Sequence, residues 1–250
     1  MEKRMKRYRL IVAYDGTNYS GWQVQDNAPT IEGELNKALT KLLKQEIQVM
    51  GASRTDAGVH AHGNVAVFDA ETTIPGDKLK FALNPLLPDA IKVMESDEVS
   101  ADFHPRFCDT EKTYEYKILN TKSPLPTMRL YSWWYSRPLD VDRMNEAAKR
   151  IPGEKDFKSF CAAGAQVLTT VRRVTGCEVF QQGDLITIRV KGEGFLYNMV
   201  RIIAGTLVRV GEGKWEPEQI DEIIAACDRT KAGPTAPPEG LTLMGIAYKG

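Results

Sequence analysis

Residues 51–63 read "GASRTDAGVHAHG", an Arg–Thr–Asp triplet set among small residues between two strand-like runs, "IQVMGAS" and "GNVAVFDA". A loop this short makes the two runs neighbours in a sheet. Upstream, "YRLIVAYDG" (8–16) is an opening strand stopped by Asp15-Gly16. Thr30 stands as an N-cap for a helix that gathers Ile31, Leu35, Ala38, Leu39, Leu42 and Leu43 on one face. Downstream, the spacing predicts a helix over 76–87 and a strand over 90–99. The order strand–helix–strand–strand–helix–strand, with the quoted loop at its centre, predicts a ferredoxin-like unit.

The second half repeats the alternation in different letters. "EKTYEYKILN" (111–120) puts Tyr114, Tyr116 and Ile118 on one face at strand period. "SPLP" and an aromatic strand "YSWWYS" lead to a helix over 140–150 and then a loop over 153–166. Strands over 168–180 and 184–191 are joined by the hairpin signal "QQGD". Helices over 195–210 and 217–228 precede a last strand, "LTLMGIAY". An α+β protein of two fused ferredoxin-like halves, 1–108 and 109–250, mainly antiparallel and with a cleft between them, is the expected architecture.

Composition narrows the field. A 42% hydrophobic and 26% charged chain of 250 residues is ordinary for a folded protein, which sets aside disordered and fibrous classes. No apolar run reaches the roughly 18 residues that a membrane span needs. The start, "MEKRMKRYRLIVAY", lacks the apolar centre and cleavage site of a signal peptide. The four cysteines (Cys108, Cys161, Cys177 and Cys227) are scattered without a CxxC pair, as expected of reduced thiols in a cytoplasmic protein. A formal net charge of zero argues against a polybasic coat but leaves nucleic-acid binding open, because charge distribution matters more than its sum. Lys3, Arg4, Lys6, Arg7 and Arg9 make the N-terminal tip basic, which suits a solvated end better than a binding arm.

Four chemistries compete for the Arg–Thr–Asp loop: a metal site, a phosphate-gripping turn, a catalytic carboxylate and a plain capped turn. Asp56, His60 and His62 are suitable metal ligands, yet the one other histidine is His104 and no cysteine is near. Gly51, Gly58 and Gly63 lack the spacing of a phosphate-binding fingerprint, and Gly58 instead lets the backbone turn just after Asp56. Ser53 lacks the nucleophile-elbow pattern. In "FLYNMVRIIAGTLVRV" Arg201 lies in mostly apolar text. It is either paired with an anion, since an unpaired buried charge costs several kcal/mol, or set on an exposed stripe.

The loop residues also carry a resemblance. "SRTDAGVHA" (53–61) resembles the motif that bears the catalytic aspartate in the TruA family of tRNA pseudouridine synthases. The likeness runs along nearly the whole chain through "YDGTNYSGWQVQ" (14–25), "FHPRF" (103–107), "FLYNMVRIIAGTLVRVG" (195–211) and "APPEGLTL" (236–243). It implies the pseudouridine synthase fold, with Asp56 as the catalytic aspartate, Arg54 as the arginine of the same turn and Arg201 as the arginine paired with the aspartate. Tyr114, the first tyrosine of "TYEY", matches the active-site tyrosine that meets the substrate base. Ser53 and Thr113 stand where many members have glycine and some have arginine.

The same resemblance implies isomerisation of uridine to pseudouridine at positions 38–40 of the tRNA anticodon stem-loop. It implies a homodimer that grips tRNA, with no cofactor and no metal. These residue types suit the reaction. The N1–C1′ bond breaks, the base rotates, C5 joins C1′ and the C5 proton leaves, so no redox change is involved. A carboxylate can act as nucleophile or proton acceptor, an arginine keeps it ionised, and a tyrosine ring can stack on the extruded base. A non-catalytic tRNA-binding or folding protein on the same scaffold is the alternative, and it would not need the carboxylate. A metal-dependent RNA hydrolase is a third.

Overall fold

The computed structural model describes residues 5–164 and 167–249; Lys3 and Arg4 lie outside the described residues. The chain divides into two compact units, one holding the residues up to Asp109 together with the segment from Leu243 onward, the other running Thr110–Thr242.

The first unit is built as β1 (Met5–Tyr14), α1 (Ile31–Leu43), β2 (Met50–Gly51), β3 (His60–Glu71), α2 (Leu79–Leu83) and β4 (Ile91–Val99). β1 pairs antiparallel with both β3 and β4, and β2 pairs antiparallel with β3. The resulting order β4-β1-β3-β2 is that of a ferredoxin-like sheet. Alternation turns Tyr8, Leu10, Val12 and Tyr14 inward along β1. Thr30 caps α1 by accepting the Gly33 N–H at 3.2 Å, and the helix buries Ile31, Leu35, Ala38 and Leu39. Each such aliphatic side chain contributes about 1.5–3 kcal/mol. Leu42 and Leu43 are only half-buried, because the helix ends at a left-handed Lys44.

The basic start of β1 is neutralised across the sheet. Lys6 meets Glu98 at 2.9 Å, Arg7 meets Asp69 at 2.7 Å and Arg9 meets Asp97 at 2.9 Å. These three cations hold neighbouring strands together. The expected helix over 76–87 is broken instead: short 3₁₀ turns at Gly76–Lys78 and Asn84–Leu86 flank the five residues of α2, and Pro85 denies the helix an N–H donor.

The second unit runs β5 (Thr110–Leu119), β6 (Trp133–Trp134), α3 (Val141–Ala148), β7 (Gly153–Asp156), β8 (Val171–Gln182), β9 (Leu185–Gly192), α4 (Met199–Gly211) and α5 (Gln219–Ala226). The chain then enters β10 (Leu241–Tyr248). β5, β9 and β8 lie side by side and antiparallel, the order of a second ferredoxin-like half, with β7 added along β8. β7 falls where a loop was expected. Its sequence, Gly-Glu-Lys-Asp, has no apolar alternation, and it pairs through the backbone alone. "YSWWYS" contributes only the two residues of β6, parallel to β5. Asn145 on α3 accepts the Val179 N–H at 2.9 Å and so fastens the helix to β8.

β10 from Leu243 onward completes the first unit alongside β3. Tyr248 donates its hydroxyl to the Pro105 carbonyl at 3.1 Å and stacks obliquely on Phe103, with ring centroids 5.1 Å apart. The Lys249 N–H donates to the Asp109 carbonyl at 2.9 Å.

Candidate active site

The Arg–Thr–Asp loop occupies residues 52–59 between β2 and β3 in the first unit. Asp56 is the first residue of a turn closed by the Val59 N–H donating to the Asp56 carbonyl at 3.1 Å. Gly58 takes φ +77° at the third position, the left-handed value that makes this turn cheap for glycine and costly for other residues. Thr55 is buried and Asp56 half-buried, whereas Arg54 is exposed. The backbone therefore presents a guanidinium and a carboxylate on either side of an inward-pointing threonine.

The loop is clamped from several directions. Trp22 N–H donates to the Thr55 carbonyl at 3.0 Å, and Gly58 N–H donates to the Tyr19 carbonyl at 3.2 Å. The segment "YDGTNYSGWQVQ" is thus the other wall of this site. Beneath it, Tyr14 Oη and Thr55 Oγ1 share a hydrogen bond of 2.7 Å. Fully buried Asn64 donates through Nδ2 to Tyr14 Oη at 3.2 Å and to the Ser53 carbonyl at 2.9 Å, while its Oδ1 accepts the Ser53 N–H at 3.3 Å. Buried amides of this kind fix a single loop geometry, because breaking one bond strands a desolvated partner. Ser53 takes part in this network through its backbone N–H and carbonyl.

His60 and His62 do not share an environment. Tyr14 pairs with Ala61 but Val12 pairs with Asn64, so β3 carries one extra residue there and the alternation slips. His60 is buried with its Nδ1 accepting the Gly16 N–H at 3.1 Å and lying 3.2 Å from Asp15, whereas His62 is exposed. Among the described residues no group of three or more His, Cys, Asp or Glu is placed to hold a metal ion.

In the second unit, Tyr114 is on β5, 8% exposed, with Phe195 edge-on to its ring at 5.3 Å. Two residues along the same face, buried Tyr116 donates to the Pro237 carbonyl at 2.7 Å, and burial pushes its phenol well above the ordinary range. Arg201 is half-buried on the first turn of α4. Its Nε donates to the Ala236 carbonyl at 2.8 Å and its Nη1 to Asn198 Oδ1 at 2.7 Å. Adjacent carbonyls of one Pro-rich segment therefore hold both Tyr116 and Arg201. That segment reaches α4 because Gly205 has no side chain: a Cβ there would lie 1.9 Å from the Pro234 carbonyl oxygen.

Arg54 and Asp56 thus share one loop of the first unit, while in the second Tyr114 lies on β5 and Arg201 on α4. Asn64 and Arg106 escaped the sequence reading. Asn64 looks like any polar residue at the edge of a strand, while Arg106 sits inside the quoted "FHPRF", where only the spacing marked it.

The chain as a whole matches an established family model. Residues 10–108 and 147–249 match the family described as tRNA pseudouridine synthase, and the chain belongs to that family. Its curated relatives include "tRNA pseudouridine synthase A" of Ruminiclostridium cellulolyticum, 50% identical over 98% of this chain and 100% of that protein. The protein of the same name from Brevibacillus brevis is 49% identical over 98% of this chain and all of its own. That of Syntrophomonas wolfei is 46% identical over 98% of both chains.

Proposed function

We propose that this chain isomerises uridine to pseudouridine at positions 38–40 of the tRNA anticodon stem-loop. It does so as a cytoplasmic homodimer, without cofactor or metal. The observation that carries the reading is the family's Arg–Thr–Asp loop, held rigid by buried hydrogen bonds in a chain similar to these synthases from end to end. The N-terminal half, 1–108, supplies Asp56 and Arg54; the C-terminal half, 109–250, supplies Tyr114 and Arg201.

In this scheme the uridine leaves the stem, and Tyr114 offers a ring against which the extruded base stacks, offsetting about 1–3 kcal/mol of the unstacking cost. Asp56 acts on the substrate as nucleophile or proton acceptor while the N1–C1′ bond breaks. Arg201 pairs with Asp56 and holds it ionised. Arg54, exposed on the same loop, meets the RNA backbone. After the base rotates, C5 bonds to C1′ and its proton is lost.

The test is incubation with tRNA carrying tritium at uridine C5. Release of tritium to water, an intact strand and a product nucleoside that is an isomer of uridine are the expected results. Binding of tRNA without any release would replace the reading with a non-catalytic one, and strand cleavage would replace it with a hydrolase.

A further inference from the structure

The segment "FHPRF" presents an unusual surface in the first unit. Phe107 is 85% exposed, yet one face of its ring stacks on His104, with centroids 4.0 Å apart and planes 25° from parallel. The segment is well anchored. The Phe103 carbonyl accepts from Arg7 at 3.0 Å, the Pro105 carbonyl accepts from Tyr248 at 3.1 Å, and His104 Nδ1 accepts the Arg106 N–H at 3.1 Å. The other face of the Phe107 ring is left open to solvent.

Beside it, Arg106 donates through Nε to the Gly51 carbonyl at 2.7 Å, which places its guanidinium against the residue that opens the Arg–Thr–Asp loop. Burial first, and then the charge of Arg54, make Arg106 harder to keep protonated. The charge of Glu32 opposes both effects. Among the described residues, no carboxylate lies within ion-pair distance of either guanidinium. A phosphate fits the donor fork of a guanidinium, and two arginines beside one loop can share one.

We propose that Phe107 with His104 forms a base-stacking platform, and Arg54 with Arg106 a phosphate clamp. Together they hold one unpaired nucleotide of the tRNA next to the loop that bears Asp56. This rests on the tRNA-modifying reading above and adds a contact outside the reacting uridine. Stacking on an open aromatic face tolerates any base, so the platform serves a site that must accept several tRNA sequences.

Phe107→Ala, Phe107→Leu and Phe107→Trp would be compared with the full-length wild-type protein for tRNA affinity, melting temperature and tritium release from C5-labelled tRNA. The expected result is a loss of about 5- to 150-fold in affinity for the Ala and Leu variants. Trp should restore binding, with melting temperatures unchanged in all three. Arg106→Gln should lower the dependence of log Kd on log salt by roughly one. Wild-type affinity in Phe107→Ala, with wild-type protein releasing tritium normally, overturns the platform and leaves the proposed reaction standing. Loss of self-association without loss of tRNA affinity also overturns it, by making this face a protein interface. If the wild-type protein releases no tritium, the reaction itself is what fails.

Discussion

Asp56→Asn keeps the shape of the side chain while removing its charge and basicity. Turnover should vanish while tRNA affinity stays within about tenfold, or 1.4 kcal/mol, of wild type; single-turnover rates and filter binding check both. Arg201→Met tests the proposed pairing through pH. Without the cation the Asp56 carboxyl becomes easier to protonate, so its pKa rises and the acidic limb of the rate profile moves to higher pH. An unmoved limb at near-normal rate would detach Arg201 from Asp56. At this scale the Arg–Thr–Asp loop stood out through its motif, since the residue types alone left a metal site, a phosphate-gripping turn, a catalytic carboxylate and a capped turn all open. Asn64 did not stand out, since its role lies in three hydrogen bonds to residues distant in sequence. Arg201 could be read only as paired or exposed; its bond to the Ala236 carbonyl, 35 residues on, comes from tertiary placement, while the one to Asn198 is local to the start of α4.

Among the elements, α4 carries the sharpest test. Glycine inside a helix normally costs about 1 kcal/mol relative to alanine, so Gly→Ala usually stabilises. At Gly205 the sign should reverse, because the new methyl would lie 1.9 Å from the Pro234 carbonyl oxygen. Overpacking of this kind costs about 1–3 kcal/mol, and a lower melting temperature by a few degrees per kcal/mol would register it. The displaced segment also carries the Ala236 carbonyl that holds Arg201, so activity should fall further than stability alone explains. A raised melting temperature would show that the segment yields at no cost. Elements whose signal is side-chain periodicity, such as β1, α1, β5 and β9, were readable in the sequence. β7, which pairs through its backbone, and the broken helix around Pro85 were not, because neither is written in an apolar repeat.

On the scale of the whole molecule, stability against acid depends on Glu212, just after α4 and only 4% exposed at its side chain. Tyr135, Arg209, Lys214 and Arg137 all converge on its carboxylate. Burial opposes its ionisation, but the hydrogen bonds from Tyr135, Lys214 and Arg209 outweigh burial and bring its pKa to about 2 from an ordinary 4.5. A carboxyl depressed on folding contributes stability that is full above the unfolded value and is lost as pH falls toward the folded one. Glu212→Gln should therefore be less stable than wild type at neutral pH, and the gap should close between about 4.5 and 2 in urea titrations. A gap independent of pH would assign the carboxylate no such role. The order of synthesis adds a different constraint. The unit that bears Asp56 draws its last strand from residues beyond Leu243, after all of Thr110–Thr242 has been made. At about 5–20 residues per second, a ribosome spends several seconds or more between the two parts of that unit. A nascent chain therefore emerges with the β3 edge uncovered until β10 is made.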